Sequence, residues 1–218
     1  MLQWVYEAAV RCPHLDRIII ATDSEEVAGL CRDQGWPFRI TSSELASGSD
    51  RVQAVAAEVA ADIYVNIQGD EPLLQPKHIS ALLRPFRQPH VHVSTLRVAC
   101  AAEDISNPNA VKVVTAPDGR ALYFSRSPIP FDRDGGHPQY WKHIGLYAYR
   151  GDALRRFTQF PPGELERAER LEQLRFLENG MSVHVETTAV DTVGVDTEED
   201  LRKVDLVLQR GRPSLPDD

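Results

Sequence analysis

Cysteine is scarce in this chain, and there is no surplus of positive charge. Cys12, Cys31 and Cys100 are odd in number and far apart. They have neither the spacing of a zinc site nor that of a disulfide framework, so a reduced, cytoplasmic protein is the expectation. Lysine and arginine total 24 against 32 aspartates and glutamates, a formal charge of −8. A nucleic-acid groove needs a basic stripe, so that class of partner is not expected. No apolar run approaches the roughly 18 residues of a membrane span, and nothing resembles a secretory signal. His90 and His92 would share one face of a strand, but no third ligand is near in sequence. Internal repeats are absent too.

What is present is an ordinary globular composition. The chain has 218 residues, 42% hydrophobic and 26% charged, enough for one large domain or a domain with a subdomain.

Residues 1–10 carry apolar positions at helical spacing, so the chain opens in a helix with no strand ahead of it. Arg17–Ala21 reads as a short β-branched strand. Asp23 and Glu26 suggest a capping box for the next helix, with Gly35 as its C-terminal cap. Trp36–Thr41 reads as a strand. The loop 42–51 leads to an alanine-rich helix over 52–61, and the strand Asp62–Val65 follows. Strands alternating with helices predict an α/β fold with a mostly parallel, helix-covered sheet. Pro76 opens a helix that runs to about Arg87.

From Val91 the rhythm changes. A strand at 91–98, a hairpin at 111–125 and a strand at 141–149 predict a β-rich excursion over 97–150, acting as an arm or subunit contact. A helix at 151–160, a longer charged helix at 164–179 and a strand at 181–187 come next. Thr197 with Asp200 caps a last helix, and a Pro-rich acidic tail at 211–218 is expected to be flexible.

The stretch Asn66-Ile67-Gln68-Gly69-Asp70-Glu71-Pro72 ends the Asp62–Val65 run. Gly69 provides the turn, and Pro72 keeps Glu71 extended. Two carboxylates therefore stand at the carboxyl end of a strand, where open α/β sheets bind ligands. Taken alone, the stretch reads equally well as a plain acidic loop. A second acidic turn, Val195-Asp196-Thr197-Glu198, also ends a strand. Paired carboxylates without Cys or His suit Mg²⁺ shared with substrate phosphates, the arrangement phosphoryl or nucleotidyl transfer needs. Ser47-Gly48-Ser49-Asp50-Arg51 is either a phosphate- or base-receiving helix start or a simple N-cap. Arg126 ends a strand and suits a carboxylate. His143 and Tyr147, four apart, face the same way along one strand. Glu172 and Gln173 read as a solvated helix face.

These segments occur in a fixed order together with Ala21-Thr22-Asp23, Asn107-Pro108-Asn109-Ala110-Val111-Lys112, Tyr123 to Pro130, Lys142 to Tyr147, Leu171 to Arg175 and Gly194 to Thr197. With them the chain closely resembles the 3-deoxy-manno-octulosonate (Kdo) cytidylyltransferase, or CMP-Kdo synthetase, family over nearly all its length. The resemblance implies a three-layer nucleotidyltransferase fold of the nucleotide-diphospho-sugar transferase type, forming one domain over 1–210. It also implies a homodimer and the reaction CTP + Kdo → CMP-Kdo + pyrophosphate, which feeds lipopolysaccharide synthesis in the cytoplasm. By motif position, Asp70 and Asp196 bind Mg²⁺ and are catalytic. Ser47, Gly48, Asp50, Arg51 and Gln68 line the nucleotide pocket. Arg126, His143, Tyr147, Glu172 and Gln173 hold the sugar acid.

Two departures accompany the match. Family members open with a strand and an Arg/Ser/Gly/Lys-rich loop that cradles the triphosphate, and Met1 aligns just after that loop. Leu45 stands where members commonly carry a histidine. The expectations are thus a Kdo cytidylyltransferase whose N-terminal strand is not in this sequence, an enzyme for a related sugar acid, or a non-catalytic binding or dimerising remnant. Negligible turnover is expected of the 218 residues alone.

Overall fold

The structure is a computed structural model describing residues 1–45, 47–195 and 197–209. The expected tail at 211–218 and the Asp196 site residue lie outside the described residues. In chain order the elements begin with α1 (Leu2–Val10), β1 (Ile20–Thr22), α2 (Glu25–Gln34), β2 (Phe38–Ile40), α3 (Gly48–Ala56) and β3 (Ile63–Asn66). Then come α4 (Pro76–Leu83), β4 (Val93–Ala99), α5 (Ala102–Ile105), β5 (Lys112–Thr115), β6 (Ala121–Ser125) and β7 (Trp141–Arg150). The chain continues with α6 (Gly151–Gln159), α7 (Glu164–Glu169), α8 (Leu174–Glu178), β8 (His184–Thr187) and α9 (Glu198–Gln209).

The fold is α/β with a mixed sheet. Strands run β6-β5-β7-β4-β8, and β3 adds to β7. β4 and β8 are parallel, as are β1 and β2 in a separate two-stranded sheet. β7 is antiparallel to β3, β4 and β5, and β5 to β6, so parallel pairs are fewer than the helix-strand alternation led one to expect. The β-rich stretch is therefore joined to the main sheet, with β7 at its centre.

β7 explains why two cores form. Ile144, Leu146 and Ala148 point to one face, against Val5 and Ala9 of α1 and Ile79 and Leu82 of α4. Tyr147 and Tyr149 point to the other, against Leu154 and Phe157 of α6 and Leu174 and Phe176 of α8. This is the period-two alternation of a strand covered on both sides. A bulge interrupts it: Thr95 pairs with Tyr147 while Leu96 pairs with Ile144, leaving Gly145 and Leu146 as extra residues on β7.

Helix ends differ from the sequence reading by small amounts with clear causes. Ser24, not Asp23, caps α2 by accepting a bond from Val27 N, and Gly35 closes it at φ 69° in the left-handed region. The caps of α9 are as expected, with Thr197 and Asp200 exchanging side-chain-to-backbone bonds at 3.0 and 3.2 Å. No helix among the described residues is long and apolar enough to cross a membrane.

One gap stands out. β1 is bonded on one edge to β2, and β3 on one edge to β7. Between their other edges lies a cavity of about 1080 Å³, bordered by Ile18 to Ala21 and Ile63 to Ile67. Val52, Val55 and Val59 close one side of it, and Leu2, Val5 and Leu83 are also in its wall. Among the described residues no further strand meets those two edges, and between helix-covered faces they have the outline of a strand position.

Candidate active site

β3 ends at Asn66, and the chain leaves through Gln68 and Gly69 to Asp70, which is half-buried on the turn. Leu74 N donates to Glu71 O at 3.0 Å, tightening the passage into α4. Val195 N donates to Asp70 O at 3.0 Å. The two acidic turns, 125 residues apart, are therefore in contact through their backbones. Glu71 is only 8% exposed, and its carboxyl is pushed up to about 7. Burial is the main cause; a hydrogen bond from Thr192 opposes it, neighbouring Asp70 and Asp191 add to it, and Lys142 offsets it.

The side chains on this turn carry carboxylate oxygens, the ligand type that suits a hard cation such as Mg²⁺. Among the described residues no three His, Cys, Asp or Glu side chains gather as a metal site.

The Ser47–Arg51 motif is the start of α3 itself and not the loop before it. Ser47 is the N-cap, its Oγ accepting from Asp50 N at 3.2 Å. A Cβ at Gly48 would stand 3.0 Å from Gln68 Nε2 and 3.3 Å from Asn66 Nδ2, so a larger residue would push both amides aside. Arg51 ties α3 to the sheet, pairing with Asp23 Oδ2 at 3.3 Å beyond β1 and with the Thr41 hydroxyl beyond β2. The motif is thus fixed against the carboxyl ends of three strands.

Glu172 and Gln173 are not on a helix face. Arg170 adopts φ 54°, breaking the expected long helix into α7 and α8, and both residues lie in the break. The corner is strongly braced. Glu178 accepts from Leu165 N and Glu166 N at 2.8 and 3.2 Å, an approach that a side chain at Gly163 would block. Arg175 Nε donates to Glu166 Oε2 at 2.8 Å, and the pair is almost wholly buried. The braced corner turns Glu172 towards α3, where Ser47 Oγ donates to Glu172 Oε1 at 3.0 Å. The Glu172 carboxyl is raised by burial and by Asp50, against the pull of the Ser49 and Ser47 hydroxyls and Arg175.

A narrow cleft of about 30 Å³ is the result, room for about one water. Glu172, Gln173, Tyr147, Gln68 and Asn66 line it. Asn66 and Gln68 also border the large cavity, so the two spaces meet at the end of β3.

The remaining sequence-predicted residues divide. His143 stands behind Tyr147, ring centroids 5.5 Å apart, as their shared strand face requires. It is bonded through Nε2 to Thr95 Oγ1 at 2.9 Å, and burial lowers its pKa to about 3, so it is neutral. Arg126 is not brought to the cleft. Its guanidinium donates to the carbonyls of Glu169, Pro108 and Arg170 at 2.7, 2.8 and 3.3 Å. Asn66, Ser49 and Tyr149 were not singled out by sequence, although all three line the cleft. Asn66 and Ser49 lie inside recognised motifs. Tyr149 follows Tyr147 at the strand period and is 3.2 Å from Ser49 Oγ.

The family model for cytidylyltransferases matches residues 1–184. A 3-deoxy-manno-octulosonate cytidylyltransferase of Acidobacterium capsulatum is 60% identical over 212 residues, 96% of this chain and 86% of that protein. Its counterpart in Koribacter versatilis is 55% identical over 210 residues, 96% of this chain and 80% of that protein. A solved CMP:2-keto-3-deoxy-manno-octonic acid synthetase, complexed with CTP, superimposes with a TM-score of 0.91 at 39% identity, covering 96% of this chain and 87% of that one. With its nucleotidyltransferase fold, the chain belongs to the cytidylyltransferase family, among the 3-deoxy-manno-octulosonate cytidylyltransferases.

Proposed function

We propose that this chain carries the site for making CMP-Kdo and pyrophosphate from CTP and Kdo, the activated sugar used for lipopolysaccharide. The observation that carries this reading is the Ser47–Glu172 bond. It joins the nucleotide motif at the start of α3 to the sugar-acid motif at the α7–α8 corner, across 125 residues. The anomeric hydroxyl attacks the α-phosphorus, an O–P bond forms, and the bond to the β-phosphate oxygen breaks to release pyrophosphate. Ser47, Gly48, Asp50, Arg51 and Gln68 orient the cytidine, while Tyr147, Glu172 and Gln173 receive the sugar. Asp70 and Asp196 would hold Mg²⁺, which when bound supplies positive charge to the phosphates. A homodimer working in the cytoplasm accords with the family resemblance.

His143 acts by supporting Tyr147 from behind. Arg126 braces the loop that follows β6, its donors being engaged by backbone carbonyls. A related sugar acid differing by one hydroxyl or amine is the closest competing substrate.

The cavity between β1 and β3 favours one further point. An extended apolar strand fits between the two bare edges, and its far end would emerge beside Asn66 and Gln68. The expected strand and phosphate-binding loop of the family would enter there. The test is pyrophosphate release with CTP, Kdo and Mg²⁺ by the chain alone and with such a strand joined before Met1. Turnover only in the joined protein supports the reading. No turnover in either overturns it and leaves the remnant reading.

A further inference from the structure

Tyr149 lies one strand period beyond Tyr147 on β7, its backbone paired with Tyr64 of β3 and Val93 of β4. It is 1% exposed, and its ring is part of the core that faces α6 and α8. Packing at this position needs only a ring. The residue nonetheless carries a hydroxyl, and a buried hydroxyl is costly unless it has a partner. That partner is Ser49, 3% exposed on the first turn of α3, the two hydroxyl oxygens lying 3.2 Å apart.

Three of the elements that build the cleft meet on this one side chain. Its ring stacks on Tyr147, with centroids 6.0 Å apart and planes at 9°. Towards α8 it stacks on Phe176, at 5.9 Å and 25°. Phe176 N donates to Gln173 O at 3.3 Å, so this contact reaches the α7–α8 corner. Its hydroxyl holds α3 at Ser49, two residues from Ser47. Ser47 already joins α3 to Glu172, but a single hydrogen bond leaves two bodies free to turn about it. Arg51 ties α3 to Asp23 and Thr41, beside the two-stranded β1–β2 sheet and not the main one. The Ser49–Tyr149 bond fastens the same turn to the main sheet.

We infer that Tyr149 is a positioning residue: its bond to Ser49 fixes where the nucleotide motif on α3 stands relative to the sugar-acid motif at the corner. The inference rests on the reading of Ser47–Arg51 and Glu172–Gln173 as the motifs that receive the two substrates. Without this bond each substrate still finds its own groups, so binding changes little. What suffers is the alignment of the attacking hydroxyl with the α-phosphorus, and kcat reads alignment.

The kinetics of pyrophosphate release, measured on the protein with a strand joined before Met1, test this. Tyr149→Phe keeps the ring and its stacking, and kcat is expected to fall about ten- to a hundredfold, as for a misplacement of up to an ångström. KM for CTP and KM for Kdo should each stay near the parent's. Ser49→Ala should give the same fall, and carries the test if Tyr149→Phe fails to fold. The double variant Ser49→Ala/Tyr149→Phe separates positioning from stability. With both hydroxyls removed no polar group of the pair is left unpartnered, so its melting temperature should be near the parent's while kcat stays low. Recovery of kcat along with the melting temperature overturns the inference, as does a parent-like kcat in either single variant. A rise in KM for Kdo at unchanged kcat overturns it too, and makes Tyr149 part of the sugar's binding surface. Each of these outcomes leaves the proposed function standing. No turnover in the joined parent overturns that function, and the inference with it.

Discussion

The cleft at Glu172 and the slot between β1 and β3 meet at Asn66 and Gln68, yet they are built on opposite terms. The cleft is small, its polar side chains stand beside Phe157 and Phe176, and its Ser47, Ser49 and Glu172 neighbours are held by hydrogen bonds between α3, β7 and the α7–α8 corner. The slot is more than thirty times larger at about 1080 Å³ against 30 Å³, with Val52, Val55 and Val59 on its helix side, and edged by strand backbone that no further strand meets among the described residues. Size alone would nominate the slot as a binding site. Chemistry nominates the cleft, because buried polar groups persist only where specific partners hold them. The slot has strand backbone on two edges and a mixed wall, with Val52, Val55 and Leu83 beside Arg51 and Arg84.

The sharpest test of that contrast is at the turn bordering both. In the protein with a strand joined before Met1, Asp70→Ala should lower the rate of CMP-Kdo formation by on the order of 10² to 10³, the cost of removing a charge-stabilising group. A rate within a few-fold of the parent would break the assignment. The slot is tested by stability. Joining an extended apolar strand of about six residues before Met1 should stabilise the fold by about 2–4 kcal/mol net of chain ordering. For a chain of this size that corresponds to a rise in Tm of roughly 5–15 °C. No rise in a thermal melt would mean the slot is not a strand position.

The cleft predicts a smaller, selective effect. Glu172→Ala removes one partner of Ser47, which keeps its contacts with Asp50, and should raise KM for Kdo about tenfold, the equivalent of one net hydrogen bond. KM for CTP should change less. Equal rises in both would mean that Glu172 serves the α3 start and not the sugar side. A separate effect, on stability and dependent on pH, belongs to His143. Its folded pKa of about 3 is below the ordinary 6.5, so between these values the unfolded chain binds the extra proton. Stability from this residue is complete above pH 6.5 and is lost as pH falls towards 3, by at most about 1.4 kcal/mol per pH unit. The difference in chemical denaturation midpoint between His143→Gln and the parent isolates it from Glu71, whose raised pKa acts in the opposite sense. The variant should be the less acid-sensitive of the two. A pH-independent difference would show that His143 is not the titrating group.

Much of this was legible in the sequence for local reasons. Pro76, Gly35, the Thr197–Asp200 cap and the Gly69 turn all announce themselves within four residues, because caps and turns are satisfied locally. The Ser47–Arg51 and Gln68–Glu71 segments carried their chemistry openly. The α7–α8 corner did not. Residues 164–179 have good helix formers throughout, and only the buried Arg175–Glu166 pair and the Glu178 cap make a break at Arg170 the better arrangement. That break converts Glu172 from a surface residue into the cleft's acid. Arg126 went the other way. Its position at a strand end suggested a free guanidinium, but carbonyls from two distant loops occupy it.

The sequence by itself determined the family, the helix-covered sheet and the two acidic turns, since these depend on short-range pattern and on ordered motifs. Only the tertiary structure decided which side chains share a space. It brought Ser47 to Glu172 and Val195 to Asp70, contacts between residues more than a hundred positions apart. No local preference encodes such pairings, because the free energy that fixes them comes from burying whole faces of sheet and helix at once. The same burial left the edges of β1 and β3 bare, and that gap is visible only with both strands in place.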